Sequence, residues 1–466
     1  DALRDACGHF VFLRWDRHPH PVSATLHPAP DPHAVYRSVF HADRVCFDAS
    51  WPDLQVRTTV WVSPEDDIEF RKVVLNNLGP QTIELELISA FEVTLTSAAA
   101  DEAHPAFSNM FVKADWRPDQ QALCFERVPR LAGDGTLRAA HFLAHASGEI
   151  LGLRCQTDRS QWLGRGHAPS QPLASLAPVP GQAAALDTHL DPVAVLGARL
   201  RIAPGQQVSV TFATAACDSE ATLMAVVDKY RQPSYVERAS VMSATLAQGQ
   251  AAPHRPGPEH LPALQLLTTA LVFTLPKAAL KSAASAPGAA QAHDRRVLWP
   301  LGVSGDRPLI LVSAGAPQGL GLLRILVQAL CEWSRGGVGC DVVVLSSEAH
   351  SYHMPVQQEL NLLCDQHETD RKARPGPAVA GLHVFRPAEI TPEQLANLQR
   401  LACAWLHADG RALSHQVKAW SDRHAARSGP LHPSRQRGQP ARLPPLLVSS
   451  PLGPVAPVSP SGPAGP

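Results

Sequence analysis

TTVWVSPEDDIEFRKVVLNNLGP at 58–80, TIELELISAFEV at 82–93 and AAADEAHPAFSNMFVKADW at 98–116 decide the fold of this chain. In the middle stretch Ile83, Leu85 and Leu87 face one way while Glu84 and Glu86 face the other. That is the period of a half-buried antiparallel strand. Ser63-Pro64 and Gly79-Pro80 punctuate the sequence where a sheet has to reverse. Working outward, VRTTVWV, FRKVVLN, HFLAHAS, ILGLRCQ, VLGARLRIA and VSVTFATA are short runs separated by Gly, Pro, Asp and Asn. Residues 1–216 are therefore expected to form an antiparallel β-sandwich.

From Asp218, the expected N-cap, the period becomes helical, with Leu223, Val226, Val227 and Tyr230 on one face. LPALQLLTTALVF at 261–273 is a second helix, and 217–297 as a whole is expected to be a helical linker. Over 298–410 apolar runs alternate with amphipathic ones: strand PLILVSA, helix LLRILVQALCEWS, strand DVVVLSS, helix PVQQELNLLCDQH, strand LHVFR. A last helix opens on Thr391-Pro392-Glu393-Gln394, a capping box with Pro at the first position. The pattern predicts a small α/β domain with three parallel strands covered on both faces. Residues 411–466, rich in Pro, Ser, Gly and Arg, are expected to be a disordered tail.

Composition narrows the function classes. A formal net charge of -1 offers no field for nucleic acid or anionic lipid. The 9 cysteines are scattered and lack CxxC spacing, which points to reduced thiols. No run is long and apolar enough for a membrane span, so a cytoplasmic chain is expected.

The quoted motifs SPEDD, LNN and HPAFSNMFV resemble the carbohydrate-binding sandwich of the cyclic β-1,2-glucan synthases, bacterial enzymes that contain glycoside hydrolase family 94 modules. TDRSQWLGRGH at 157–167, LDPVAVLGARLRIAPGQQVSVTFATA at 190–215, DKYRQPSYVERA at 228–239 and LWPLGVSGDRPLILV at 298–312 follow in the family's order, so the resemblance spans roughly residues 8–410. It implies a galactose-mutarotase-like supersandwich followed by the α/β segment. It also implies a parent enzyme of the glycosyltransferase and phosphorylase type, anchored in the bacterial inner membrane. The family's catalytic acid lies in an (α/α)6 barrel that no segment here supplies. The stretch between Gly249 and Asp294 is shorter and richer in Ala and Pro than the family pattern, and Pro300 and Arg307 depart from it. Together with the start at Asp1 and the Pro-rich end, this suggests a fragment of such a synthase.

A sandwich holds sugar by stacking an aromatic ring on the C–H face of a pyranose while polar groups fix the hydroxyls. His104, Phe107 and Asn109 form one such set, and Asp158, Arg159, Trp162 and Arg165 another. The competing reading makes Phe107 and Trp162 core aromatics and Asp158-Arg159 an ion pair within its turn.

Other motifs carry less. Glu65-Asp66-Asp67 fits a solvated acidic loop, with Asp67 anchoring its turn, better than a glycosidase acid/base pair. Gly302-Val303-Ser304-Gly305-Asp306 lacks the last glycine of a nucleophile elbow. The glycines of 313–321 match no phosphate loop. His18-Pro19-His20 is too stiff to share one tetrahedral ion, so neither metal nor cofactor is expected. What remains is a non-catalytic β-glucan-binding module working beside other domains of a parent synthase, with no nucleic-acid or membrane partner. The alternative is a purely structural domain-packing module without sugar affinity.

Overall fold

Antiparallel pairing organises the N-terminal unit because β-branched and aromatic residues alternate through its long runs. A computed structural model describes residues 8–15, 18–96, 98–129, 135–249, 256–272, 294–348, 354–373, 376 and 378–428. Internal contacts divide the chain into two units, Asp1–Arg255 and Pro256–Pro466. The boundary falls inside the stretch 217–297.

The first unit holds a 6-stranded sheet in the order Ala177–Pro178, Glu149–Asp158, Pro192–Ile202, Ile83–Glu92, Phe10–Trp15, His18–Ser23. A 9-stranded sheet completes the sandwich, with Leu137–Ser147, Gln207–Cys217 and Ile68–Asn77 at its centre. The inner faces meet in a core that includes Val11, Leu13, Leu85, Leu87, Leu75, Trp116, Phe125 and Phe212. The expected sandwich is thus the observed one.

Ile83–Glu92, however, is not half-buried. It lies at the middle of its sheet, and residues 85 to 90 are all buried. Its outer face carries Ile88 and Ala90 under a second apolar layer, and its Glu86 is only 5% exposed. Alternation gives the side a residue faces; it does not say whether that side is wet.

The helices Glu220–Tyr230 and Pro233–Gly249 belong to this unit. Leu223, Val227, Tyr230, Val236 and Ala239 pack on the outer face of the larger sheet against Trp61, Phe70 and Phe142. The N-cap is Ser219, whose hydroxyl accepts from the Thr222 N–H, rather than the expected Asp218. The acidic turn is not a freely solvated loop. Asp66 accepts from Tyr230 Oη at 2.7 Å and from Lys229 Nζ at 2.7 Å, and Glu65 pairs with Arg238 at 3.0 Å. Asp66, not Asp67, therefore anchors the turn, and it does so by docking the helices. Ser63 closes the network with its hydroxyl 2.9 Å from Tyr230 Oη.

In the second unit a 4-stranded sheet runs Ala380–Phe385, Cys340–Ser346, Leu309–Ala314, Ala402–Ala408, with every pairing parallel. One face packs on Leu264, Leu267, Leu323, Leu326 and Leu360, the other on Leu298, Val303, Ile390 and Leu398. The fourth strand, ACAWLHA, follows the capped helix Pro392–Leu401 directly. Its Ala and Cys residues carry little strand propensity, which hid it from the period. The glycine-rich turn at 315–319 has a packing reason: a Cβ on Gly319 would meet the Ala408 carbonyl oxygen at 1.9 Å. Residues 413–428, inside the expected tail, form a helix whose Leu413 and Val417 join the core. The rest of the tail lies outside the described residues. No helix among the described residues is long and apolar enough to cross a membrane.

Candidate functional site

The two sequence-derived residue sets meet at one end of the sandwich, on the stretch 187–192. Asn109 Nδ2 donates to the Leu190 carbonyl at 3.3 Å, and the Arg159 backbone N–H donates to the Asp191 carbonyl at 2.9 Å. Most of these residues are committed to structure. Asp158, 2% exposed, is the N-cap of the helix Arg159–Leu163. Its carboxylate accepts from the backbone N–H and hydroxyl of Ser160 at 2.8 and 2.7 Å, the usual work of an Asp at that position. Arg159 pairs with Glu92 at 2.7 Å and Asp191 at 3.4 Å, not with Asp158.

Trp162 is 3% exposed. It meets Phe12 edge-on at 5.8 Å, among Ile88, Ala90, Val193 and Val195. The ring that looked like a stacking platform therefore has no free face, and it acts as a core aromatic. The hollow beside it measures only about 20 Å³, room for about one water molecule. Asn109 is buried, while His104 and Arg165 are exposed. Phe107, 46% exposed, keeps one accessible ring and touches Phe111 at 5.4 Å.

Next to this end lies a serine–imidazole–carboxylate row that no sequence pattern announced. His9 Nε2 is 2.6 Å from Ser89 Oγ, and His9 Nδ1 is 3.4 Å from Glu69 Oε1. Burial pushes the imidazole down to about 4. Burial works against the Glu69 carboxylate, yet the bond from His9 and the nearby Arg71 outweigh it and hold its pKa at about 2. His141, completely enclosed, is also driven well below its ordinary value by burial. Ser89 is 0% exposed, so no substrate reaches its hydroxyl. The row is a packing device that joins the two sheets.

The open ground is at the other end of the same sheet. Strand Phe10–Trp15 begins beside Trp162 and ends at two hollows that share Trp15 and Glu84. One, of about 520 Å³, is lined by Arg14, Glu84, Glu86, Arg154 and Arg199. The other, of about 480 Å³, is lined by His33, Trp51, Asp53, Asn77 and Gln81. Both volumes fall in the range of roughly 300–1,000 Å³ common to small-molecule sites. Trp15 meets Trp51 edge-on at 5.5 Å, and Trp51 Nε1 donates to Asp31 at 2.7 Å, which fixes the indole pair. Asn77 donates to the carbonyls of Gln81 and Ile202 at 2.7 and 2.9 Å and shapes the turn above it. The LNN motif pointed here, but as a family mark and not as a site. The charged residues sit on separate strands, so no local spacing could group them.

This supersandwich is the domain of a family of carbohydrate-active proteins. The sequence profile of the glycosyl hydrolase 94 supersandwich domain matches residues 1–233, and the chain belongs to that family. The chain is 28% identical over 424 residues to the cyclic beta-(1,2)-glucan synthase NdvB of Rhizobium meliloti (strain 1021), a match covering 90% of this chain. It spans 14% of that relative's length. A bacterial glucoamylase solved with acarbose overlays 50% of this chain and 30% of its own at 6% identity and a TM-score of 0.30. A family GH92 α-mannosidase from Bacteroides thetaiotaomicron overlays 52% and 29% at 10% identity and 0.27.

Proposed function

We propose that the N-terminal unit is a non-catalytic recognition module for β-glucan chains, serving a parent protein of the glucan synthase kind. The observation that carries this reading is the pair of hollows joined at Trp15. They offer carboxylates, amides, guanidiniums and an indole along one continuous surface, the mixture that a hydroxyl-bearing ring requires. Membership of the supersandwich family and the likeness to a glucan synthase support it. Of the residues singled out in the sequence, His104, Phe107 and Arg165 remain accessible, but none of them lines either hollow. Binding rather than catalysis is favoured because Glu65 and Asp66 are spent on docking helices. A reducing, cytoplasmic setting suits the free thiols of Cys124, Cys155, Cys340 and Cys403, all buried.

Calorimetric titration of the full chain with linear β-1,2-gluco-oligosaccharides and, separately, cellodextrins tests the reading. Each contact exchanges against water, so a dissociation constant of roughly 0.1–1 mM is expected. The β-1,2 series should bind the tighter. Silence with both series would make the module a structural packing element.

A further inference from the structure

The 520 Å³ hollow has a floor built to an unusual pattern. Glu86 stands at its centre on strand Ile83–Glu92, and register pairs it with Arg14 on one neighbouring strand and Arg199 on the other. Its side chain is 6% exposed. One oxygen bonds Arg14. The other, Oε1, has no hydrogen bond, and Arg154 Nη1 lies 3.8 Å away.

Two glycines make the arrangement possible. A Cβ on Gly197 would lie 3.3 Å from Glu86 Oε1 and 2.9 Å from Leu176 Cδ1, so the bare backbone leaves room for the carboxylate to lie flat. Gly152, paired with Arg199, would point its Cβ into open space and leaves the floor clear.

Two guanidiniums rise from this floor with their donors free. Arg154 has Glu86 at 3.8 Å, and Arg199 has Glu84 at 4.0 Å, both beyond hydrogen-bond reach. Among the described residues neither makes a hydrogen bond, and their side chains are 33% and 52% exposed. A buried carboxylate here costs energy unless cations flank it. Glu86 thus holds Arg14, and by charge Arg154, in place, while the outward N–H groups stay available.

The sign of the lining selects the ligand. Arg14, Arg154 and Arg199 stand against Glu84 and Glu86, so an anion would meet two carboxylates and a cation three guanidiniums. A hydroxyl both accepts and donates and satisfies both sets.

We propose that Arg154 and Arg199, positioned over Glu86, form the principal sugar subsite, taking neighbouring hydroxyls of one hexose. The glucan then runs across Trp15 into the second hollow, where Asp53 and the exposed Gln81 take the next ring. Since both hollows are open, the module binds along a chain and needs no chain end. This placement rests on the glucan-binding reading above.

The test is titration of the full chain and of Arg199→Ala, Arg154→Ala and Phe107→Ala with linear β-1,2-gluco-oligosaccharides of increasing length. Each lost charge-assisted contact should weaken binding about tenfold in the two arginine variants and leave Phe107→Ala at wild-type affinity. Affinity should rise from the disaccharide to a chain long enough to fill both hollows and then level off. Arg199→Ala keeps the experiment decisive if Arg154→Ala melts early, because the carboxylate near Arg199 is the exposed Glu84. If wild type binds and both arginine variants bind equally well, this placement is wrong and the function stands. If wild type binds none of the oligosaccharides, the function itself fails and the subsite with it.

Discussion

The two ends of the outer face of the 6-stranded sheet are built on the same strands and treated in opposite ways. At one end Phe12, Ile88, Val193 and Val195 are apolar, and the helix Arg159–Leu163 closes over them. At the other, Arg14, Glu84, Glu86 and Arg199 occupy the same side of the same strands; Glu86 is buried among the arginines, while the side chains of Glu84 and Arg199 are 44% and 52% exposed. Burial of an aliphatic or aromatic side chain releases about 1.5–3 kcal/mol, so a lid forms where the strand residues reward it. A row of paired charges gives a lid nothing and stays open. The comparison shows why the conspicuous aromatic, Trp162, is structural while the less conspicuous Trp15 borders open space.

The largest effect should come from breaking the closed end. Trp162→Ala removes a fully packed indole and leaves a cavity, at a cost of about 3–5 kcal/mol. Thermal unfolding should show the transition falling by many degrees. Glucan affinity, measured below that transition, should not change. A stable variant with weakened binding would reverse the assignment of the two ends.

Acid should act on the same end, somewhat more weakly. His9 takes up a proton near pH 6.5 when unfolded but only near 4 in the folded chain. The unfolded state therefore binds more protons through that window, and stability falls as pH drops from about 6.5 towards 4. A shift of that size corresponds to roughly 3 kcal/mol. His141 acts in the same direction, and Glu69 extends the loss as pH falls from 4.5 through about 2. Melting temperature recorded from pH 7.5 to 4.5 should decline steadily, and His9→Gln should flatten part of that decline. A flat profile in the wild type would show that the imidazole is hydrated.

How far the sequence reached follows the same physical line. Period-2 alternation and turn residues are local, and they sufficed for the sandwich and for three strands of the parallel sheet. The strand ACAWLHA escaped because its small residues lack strand character, and the acidic turn misled because its cations come from helices some 160 positions away, as in Lys229 with Asp66 (|i−j| of 163). The site was harder still. Residue type near turns points to His104, Phe107, Asn109, Asp158, Arg159, Trp162 and Arg165, yet exposure is decided by what packs above a strand. Arg14, Glu86, Arg154 and Arg199 come from four strands whose neighbour relations exist only in the sheet. A correct alternation puts Glu86 itself on the side of its strand opposite the core, a side that the sheet nevertheless buries.

The smallest effect should come from Phe107, and it sharpens the comparison most. This ring lies at the closed end but outside its lid, 46% exposed, with an edge contact to Phe111 at 5.4 Å. Arg127 covers Phe111 in turn at 5.9 Å. Removing an exposed ring forfeits little buried area, so Phe107→Ala should shift stability by no more than about 0.5 kcal/mol. If sugar binds only at the open end, its affinity also stays at the wild-type value. A loss of glucan affinity in this stable variant would move recognition to the closed end, where Phe107 stays exposed. The charged floor around Glu86 would then serve the architecture of the sheet, and the two ends would exchange roles.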